Sequence, residues 1–173
     1  MRVRAATISD AFAIADIHVS AWRAAYRGVV PDQNLDGLSV EKRRAYWSLA
    51  IANGEPVVRV VAGSEGVVGW IAFGRCRDSE ALPSMAEIWA MYVSPSMWAR
   101  GIGRQLLNDA CGELRRMGFK SVTLWVLSKN ERVCRFYASA GFAPEPSSVK
   151  NVEIGGATLE EVRYASTFDA NVI

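Results

Sequence analysis

The sequence predicts a single α/β domain over residues 1–173, a mixed sheet with helices on both faces. Three observations carry this. Short β-branched and aromatic runs alternate with longer stretches of helical period. Two of those runs, residues 57–62 and 67–73, are joined by Gly63, Ser64, Glu65 and Gly66, which is hairpin chemistry and makes them an antiparallel pair. Further on, a strand leads through a tight glycine turn into a helix. A chain of 173 residues is long enough to bury one continuous core and too short to need a second.

Each element has its own signal. Residues 2–8 form a short strand, and Ser9 or Asp10 can cap a helix over residues 11–26. Residues 28–38, with Pro31 and Asp32, read as a loop. Residues 40–51 form a second helix, stopped by Asn53, Gly54 and Pro56. After the hairpin, a strand over residues 87–93 is closed by Ser94 and Pro95, because proline cannot donate to a continuing ladder. Ile102, Leu106, Ala110 and Leu114 then recur at helical spacing, with Leu107 and Cys111 beside them and Gly118 at the C-cap. Residues 121–126 alternate as a strand. Ser128 and Glu131 make a capping-box pattern that opens a helix with the apolar face Val133, Phe136, Tyr137 and Ala140, ended by Gly141. Residues 160–166 are the final strand.

Composition removes several function classes. Half of the residues are hydrophobic and 22% are charged, enough apolar surface to offset chain entropy. The net charge is only +2 and the basic residues are scattered, so no nucleic-acid partner is expected. The first ten residues hold no long apolar run and do not read as a secretory signal. The most apolar stretch, residues 57–73, is broken by Arg59, Glu65 and glycines, so no membrane span is expected and a cytoplasmic address follows by default. Cys76, Cys111 and Cys134 form no C-x-x-C pair and read as buried free thiols. With one histidine, a zinc site is not expected, and a hydrolase triad has only His18 to build on.

The chemistry is concentrated in residues 87–107, EIWAMYVSPSMWARGIGRQLL. The turn Ala99, Arg100, Gly101, Ile102, Gly103, Arg104 opens a helix, where exposed amides and the helix dipole favour an anion and glycine lets a diphosphate approach. A G-x-G turn alone serves ordinary tight turns equally well. No Gly-Lys-Ser/Thr follows, so the loop is not a triphosphate site, and its place after the fourth strand does not suit a dinucleotide fingerprint.

Strand, glycine loop and helix together resemble the GNAT (Gcn5-related) N-acetyltransferase superfamily, whose Q/R-x-x-G-x-G/A loop binds coenzyme A. A second signature is in the right order and separation: Leu124-Trp125-Val126, then Asn130, Phe136-Tyr137 and Gly141-Phe142, matching N-x-x-A/C-x-x-x-Y-x-x-x-G-F. The N-terminal IHVSAWRAAYRGVVP and LDGLS also look like a recurrent subgroup of that superfamily. One departure stands out: Trp98 occupies the Gln/Arg slot of the loop. The resemblance implies the acyl-CoA N-acyltransferase fold, classed as α+β in some schemes, with a largely antiparallel central sheet. It implies acetyl-CoA as cofactor and transfer of its acetyl group to a primary amine.

The resemblance also distributes roles. The main chain of Met91, Tyr92 and Val93 lines the pantetheine, while Ala99, Arg100, Gly101, Ile102, Gly103 and Arg104 hold the pyrophosphate. Because Trp98 carries no charge, Arg100 or Arg104 could supply it, or both are solvated charges at a helix start. Tyr137 matches the tyrosine that protonates the leaving thiolate, against a plain core tyrosine. Asn130 contacts cofactor or simply caps the helix. Glu87 is the candidate base, directly or through water, against an exposed glutamate at a strand start. His18, Trp22 and Tyr26 share one helix face that could bind substrate or complete the core. The acceptor is a small-molecule or peptide amine, attacked without an acyl-enzyme intermediate. The competing readings are an idle acyl-CoA-binding module and transfer of a longer acyl group. The superfamily admits a homodimer, which nothing in the sequence establishes.

Overall fold

Valine, isoleucine and aromatic runs gather into one seven-stranded sheet in the computed structural model, which describes residues 1–168. The last five positions of the expected domain, 169–173, lie outside the described residues. In chain order the elements are β1 (Arg2–Ala5), α1 (Ala11–Tyr26), α2 (Asp32–Asp36), α3 (Val40–Asn53), β2 (Val57–Gly63), β3 (Gly66–Arg75), β4 (Met85–Val93), α4 (Ile102–Arg116), β5 (Ser121–Leu127), α5 (Glu131–Ser139), β6 (Ala143–Ile154) and β7 (Ala157–Thr167). The strands lie in the order β1-β2-β3-β4-β5-β7-β6, and only β4 and β5 run parallel.

The two sheet faces bury different helices. Ile102, Leu106, Ala110 and Leu114 of α4 pack with Phe73, Ile88, Val122 and Leu124 of the sheet, and Phe136 and Tyr137 of α5 join the same core. On the opposite face, Ile14 and Ile17 of α1 and Trp47 of α3 pack on Val60, Trp70 and Ala72. A third, smaller cluster joins Val30 and Leu35 around α2 to Leu127 and Leu159, so the β6–β7 hairpin is tied to the end of α1 and the segment after it.

Several expectations need correcting. The first strand ends at Ala5, because Thr7 and Asp10 close a turn: the Asp10 carboxylate accepts from Thr7 N at 2.8 Å, Thr7 Oγ1 at 2.9 Å and the Arg4 guanidinium at 2.7 and 2.8 Å. The segment 28–38 is not all loop, since Leu35 is fully buried and carries the short helix α2. Arg23 holds that segment by donating to the Leu35, Asp36 and Leu38 carbonyls. Helix α5 is capped by Asn130, whose Oδ1 accepts from Val133 N at 3.3 Å, and not by Ser128. Strand β6 is an addition that the pattern did not announce. It contains Pro144 and Pro146, is largely exposed, and lies at the sheet edge, where a missing N–H donor costs no ladder bond.

The parallel pair positions the site. β4 and β5 pair at Met85 with Ser121, Ala86 with Val122 and Glu87 with Thr123, and go no further. Thr123 Oγ1 pins the junction by donating to the Ala86 carbonyl. Beyond it β4 stays on β3 as far as Val93 and β5 stays on β7 as far as Leu127, so a gap opens between them. The register of β4 slips at Trp89, with Ala90 opposite Ala72 but Ile88 opposite Phe73. That bulge reverses the side-chain alternation: Ala86 and Ile88, then Met91 and Val93, face the α4 core, while Trp89, Ala90 and Tyr92 face the α1 side.

Candidate active site

A cavity of about 880 Å³ passes through the gap, lined by residues 88–93 of β4 and 124–127 of β5. Each strand is hydrogen-bonded on one edge only at this level, so the other edge of each can offer main-chain N–H and C=O groups to a ligand. On the α4 face the cavity continues past Val133, Phe136 and Tyr137 to the start of α4.

The backbone before that helix takes an unusual course. Ala99 (φ +61°) and Gly101 (φ +79°) are left-handed, which turns neighbouring amides toward one concavity. A Cβ at Gly101 would meet nothing within 4 Å, so glycine is favoured there by conformation. Gly103 differs: its Cβ would lie 3.4 Å from the Phe136 ring, an ordinary contact between α4 and α5. Trp98, in the slot where a Gln or Arg is expected, donates from Nε1 to the Val93 carbonyl at 2.8 Å and carries the Arg132 guanidinium on its ring face at 4.1 Å. Arg132 thus brings to the cavity wall the positive charge that Trp98 lacks. Arg104 also lines the cavity but is tied to α5, donating to the Ser139 carbonyl and hydroxyl. Arg100 is exposed and outside the lining.

At the gap, Tyr137 is buried between Phe136 and Phe142, with ring centroids 5.0 and 5.7 Å away. Burial pushes its phenol pKa up, so the hydroxyl remains protonated and a donor. Asn130 caps α5 and also lines the same stretch of the cavity. None of the three cysteines lines the cavity, and burial raises Cys111 to about 11.

The α1 face of the cavity is built from side chains: Trp22 and Tyr26 of α1, Arg77, Glu87 and Trp89 around β4, Trp125 of β5, and Lys150 and Glu161 of the β6–β7 hairpin. Glu87 is not at an exposed strand start. It is 2% exposed, with Oε2 accepting from Arg77 N at 2.9 Å and Nε at 3.1 Å, and Oε1 paired with Arg77 Nη2. The Arg77 guanidinium also lies 4.4 Å from the Trp89 ring centroid.

His18 is not brought to the cavity. It is buried behind the wall, 4.8 Å from the Tyr92 ring and ringed by Trp22, Trp47 and Trp70. Burial, and then the positive charge of Arg43, lower its pKa to about 3, so it is neutral. Trp22 Nε1 donates to Tyr92 Oη at 2.7 Å, so the Tyr92 side chain is structural, and its main chain pairs with Trp70 of β3, which leaves Met91 and Val93 to turn main-chain groups toward the gap. Arg77, Arg132, Lys150 and Glu161 were missed as site residues, and Trp125 was read only as part of its strand, because their meeting depends on how separate elements pack; the stacking of Arg132 on Trp98 joins residues 34 positions apart.

Residues 13–142 match the model of the Acetyltransferase (GNAT) family. The chain belongs to that family. It is 32% identical over 160 residues to the uncharacterized N-acetyltransferase YuaI of Bacillus subtilis, covering 92% of this chain and 89% of that protein. It is 30% identical over 145 residues to the L-amino acid N-acyltransferase MnaT of Escherichia coli, covering 82% and 79%. The PaiA N-acetyltransferase of Thermoplasma acidophilum, solved in complex with coenzyme A, superposes with a TM-score of 0.76 at 17% identity, covering 96% and 98%, and so shares the fold. This chain is an acetyl-CoA-dependent N-acetyltransferase. Among the described residues, no helix is long and apolar enough to cross a membrane.

Proposed function

We propose that this GNAT domain acetylates a small amino-acid-like primary amine by direct transfer, with cofactor and acceptor meeting in the β4–β5 gap from opposite sheet faces. The observation that carries this is the β4 edge at Met91 and the Val93 N–H, unpaired on the β5 side and opening beside the buried hydroxyl of Tyr137. The Escherichia coli relative named for L-amino acids supports the acceptor class.

The residues present fit coenzyme A. The edges of β4 and β5 suit an amide-bearing pantetheine, the amides of Ala99, Gly101, Ile102 and Gly103 suit a diphosphate, and Arg132 supplies the side-chain charge. When bound, the cofactor supplies an activated acetyl thioester. A main-chain N–H near Met91 stabilises the negative charge that develops on the acetyl oxygen. Tyr137 donates a hydrogen bond to the departing sulfur and passes its proton as charge builds there. Its raised pKa makes the hydrogen bond the larger share of that help. With every cysteine outside the cavity lining, no side-chain thiol is available to hold the acetyl group.

The test is isothermal titration with coenzyme A together with amine-dependent thiol release. Tyr137→Phe is expected to lower kcat by about 100-fold while changing coenzyme A affinity by no more than about twofold. No binding up to millimolar coenzyme A, or an unchanged kcat in the variant, would overturn the reading.

A further inference from the structure

Resting on that reading, we propose that Arg77 anchors an acidic group of the acceptor, and that Glu87 is the positioning residue for Arg77 and not the base. The pairing is side-on. Glu87 takes Nε and Nη2 of the guanidinium and the Arg77 main-chain N–H as well. A guanidinium held this way keeps a second fork, Nη1 with the outer hydrogen of Nη2, matched to a planar carboxylate. Among the described residues, no acceptor engages Nη1. The Arg77 side chain is half-exposed and lines the cavity.

The anchor is held rigidly. Trp89 supports the plane of the guanidinium. The next residue, Asp78, accepts from Trp125 Nε1 at 3.2 Å and pairs with Arg163 at 3.0 Å, so the segment bearing Arg77 is fastened to β5 and β7. Ordering a charged side chain before binding removes part of the entropic cost of recognition.

Charge on this face favours the same class of acceptor. The acidic residues in the lining are Glu87 and Glu161, and both are paired, the second with Lys150 at 3.5 Å. A polycationic amine would find no unpaired carboxylate among the described lining residues, whereas an acidic group would find an open guanidinium edge. Glu87 meets the acceptor through Arg77, because both of its oxygens already accept from that residue. The amine proton then leaves to water.

The experiment compares L-methionine with L-methioninamide and spermidine, with kcat/KM expressed per free amine because the amide is the less basic amine. The acid is expected to exceed its amide by roughly tenfold to hundredfold. Arg77→Gln should reduce that ratio to about unity through KM. Glu87→Gln should shrink it in the same direction while leaving the acid limb of the kcat pH profile in place. Titration of L-methionine into coenzyme A-saturated protein reads the anchor without turnover, and Arg77→Gln should weaken it by about tenfold. An amide or spermidine preferred to the acid, no binding of L-methionine by the wild type, or a preference that survives Arg77→Gln overturns the proposal. So does a Glu87→Gln variant that loses the acid limb of kcat at unchanged KM, which would make Glu87 the base. Failure to bind coenzyme A at all marks instead the failure of the underlying site.

Discussion

The half of the cavity on the α4 face combines the strand edges of β4 and β5 and the turn before α4 with side chains of α5, among them Val133, Phe136 and Tyr137. The half on the α1 face is walled by side chains, with Arg77, Trp89, Trp125 and Lys150 setting its charge and shape. Main-chain groups are the same whatever the residue, so the anion site proposed for the first half does not depend on the side chain at Trp98. In the second half each charge depends on one residue and its partner. The difference separates what the fold must keep to use acetyl-CoA from what single substitutions can retune.

Acid should disturb the side-chain half most. His18 sits behind its wall with a pKa near 3, below the ordinary 6.5, so its stabilising contribution is complete above about pH 6.5 and is lost as pH falls toward 3. Unfolding by urea should therefore require about 3 kcal/mol less at pH 4 than at pH 7 from this group, and His18→Phe should flatten the slope. Equal slopes in both proteins would show that His18 is not held neutral.

The main-chain half should break through conformation. Gly101→Val forces a β-branched residue to φ +79°, and coenzyme A affinity should fall by about 30-fold while the acid-to-amide preference persists. An unchanged affinity would mean that this turn does not hold the diphosphate. Asn130→Ala removes the α5 cap and should cost about 1 kcal/mol in thermal unfolding. Any loss of coenzyme A affinity beyond that seen for another cap-destabilised variant would assign Asn130 a direct contact. The smallest effect is expected from Arg132→Ala, about threefold to fivefold weaker coenzyme A binding that diminishes as salt rises. Trp98→Ala should produce much of the same loss, and the pair should be non-additive because one residue positions the other.

Most of the elements could be read from the chain. The α4 stripe Ile102, Leu106, Ala110 and Leu114 has the period of a half-buried helix, and the glycines at 63 and 66 announce their hairpin. Strand β6 could not be read, since Pro144 and Pro146 argue against a strand and only the edge position makes them harmless. Glu87 was legible as a carboxylate near the chemistry but not as a buried one. Its partner Arg77 sits in a connection whose path no periodicity describes.

The sequence alone determined the order of strand, glycine turn and helix, the position of Tyr137 ahead of Gly141-Phe142, and hence the family and its cofactor, because these rest on local spacing along one chain. Tertiary structure decided what meets across the chain: Arg132 on Trp98, Arg77 on Glu87, His18 withdrawn behind Tyr92. The physical reason is the parallel pairing of β4 and β5, which stops after Glu87 and Thr123. That parting opens the gap, and the bulge at Trp89 decides which side chains face each half.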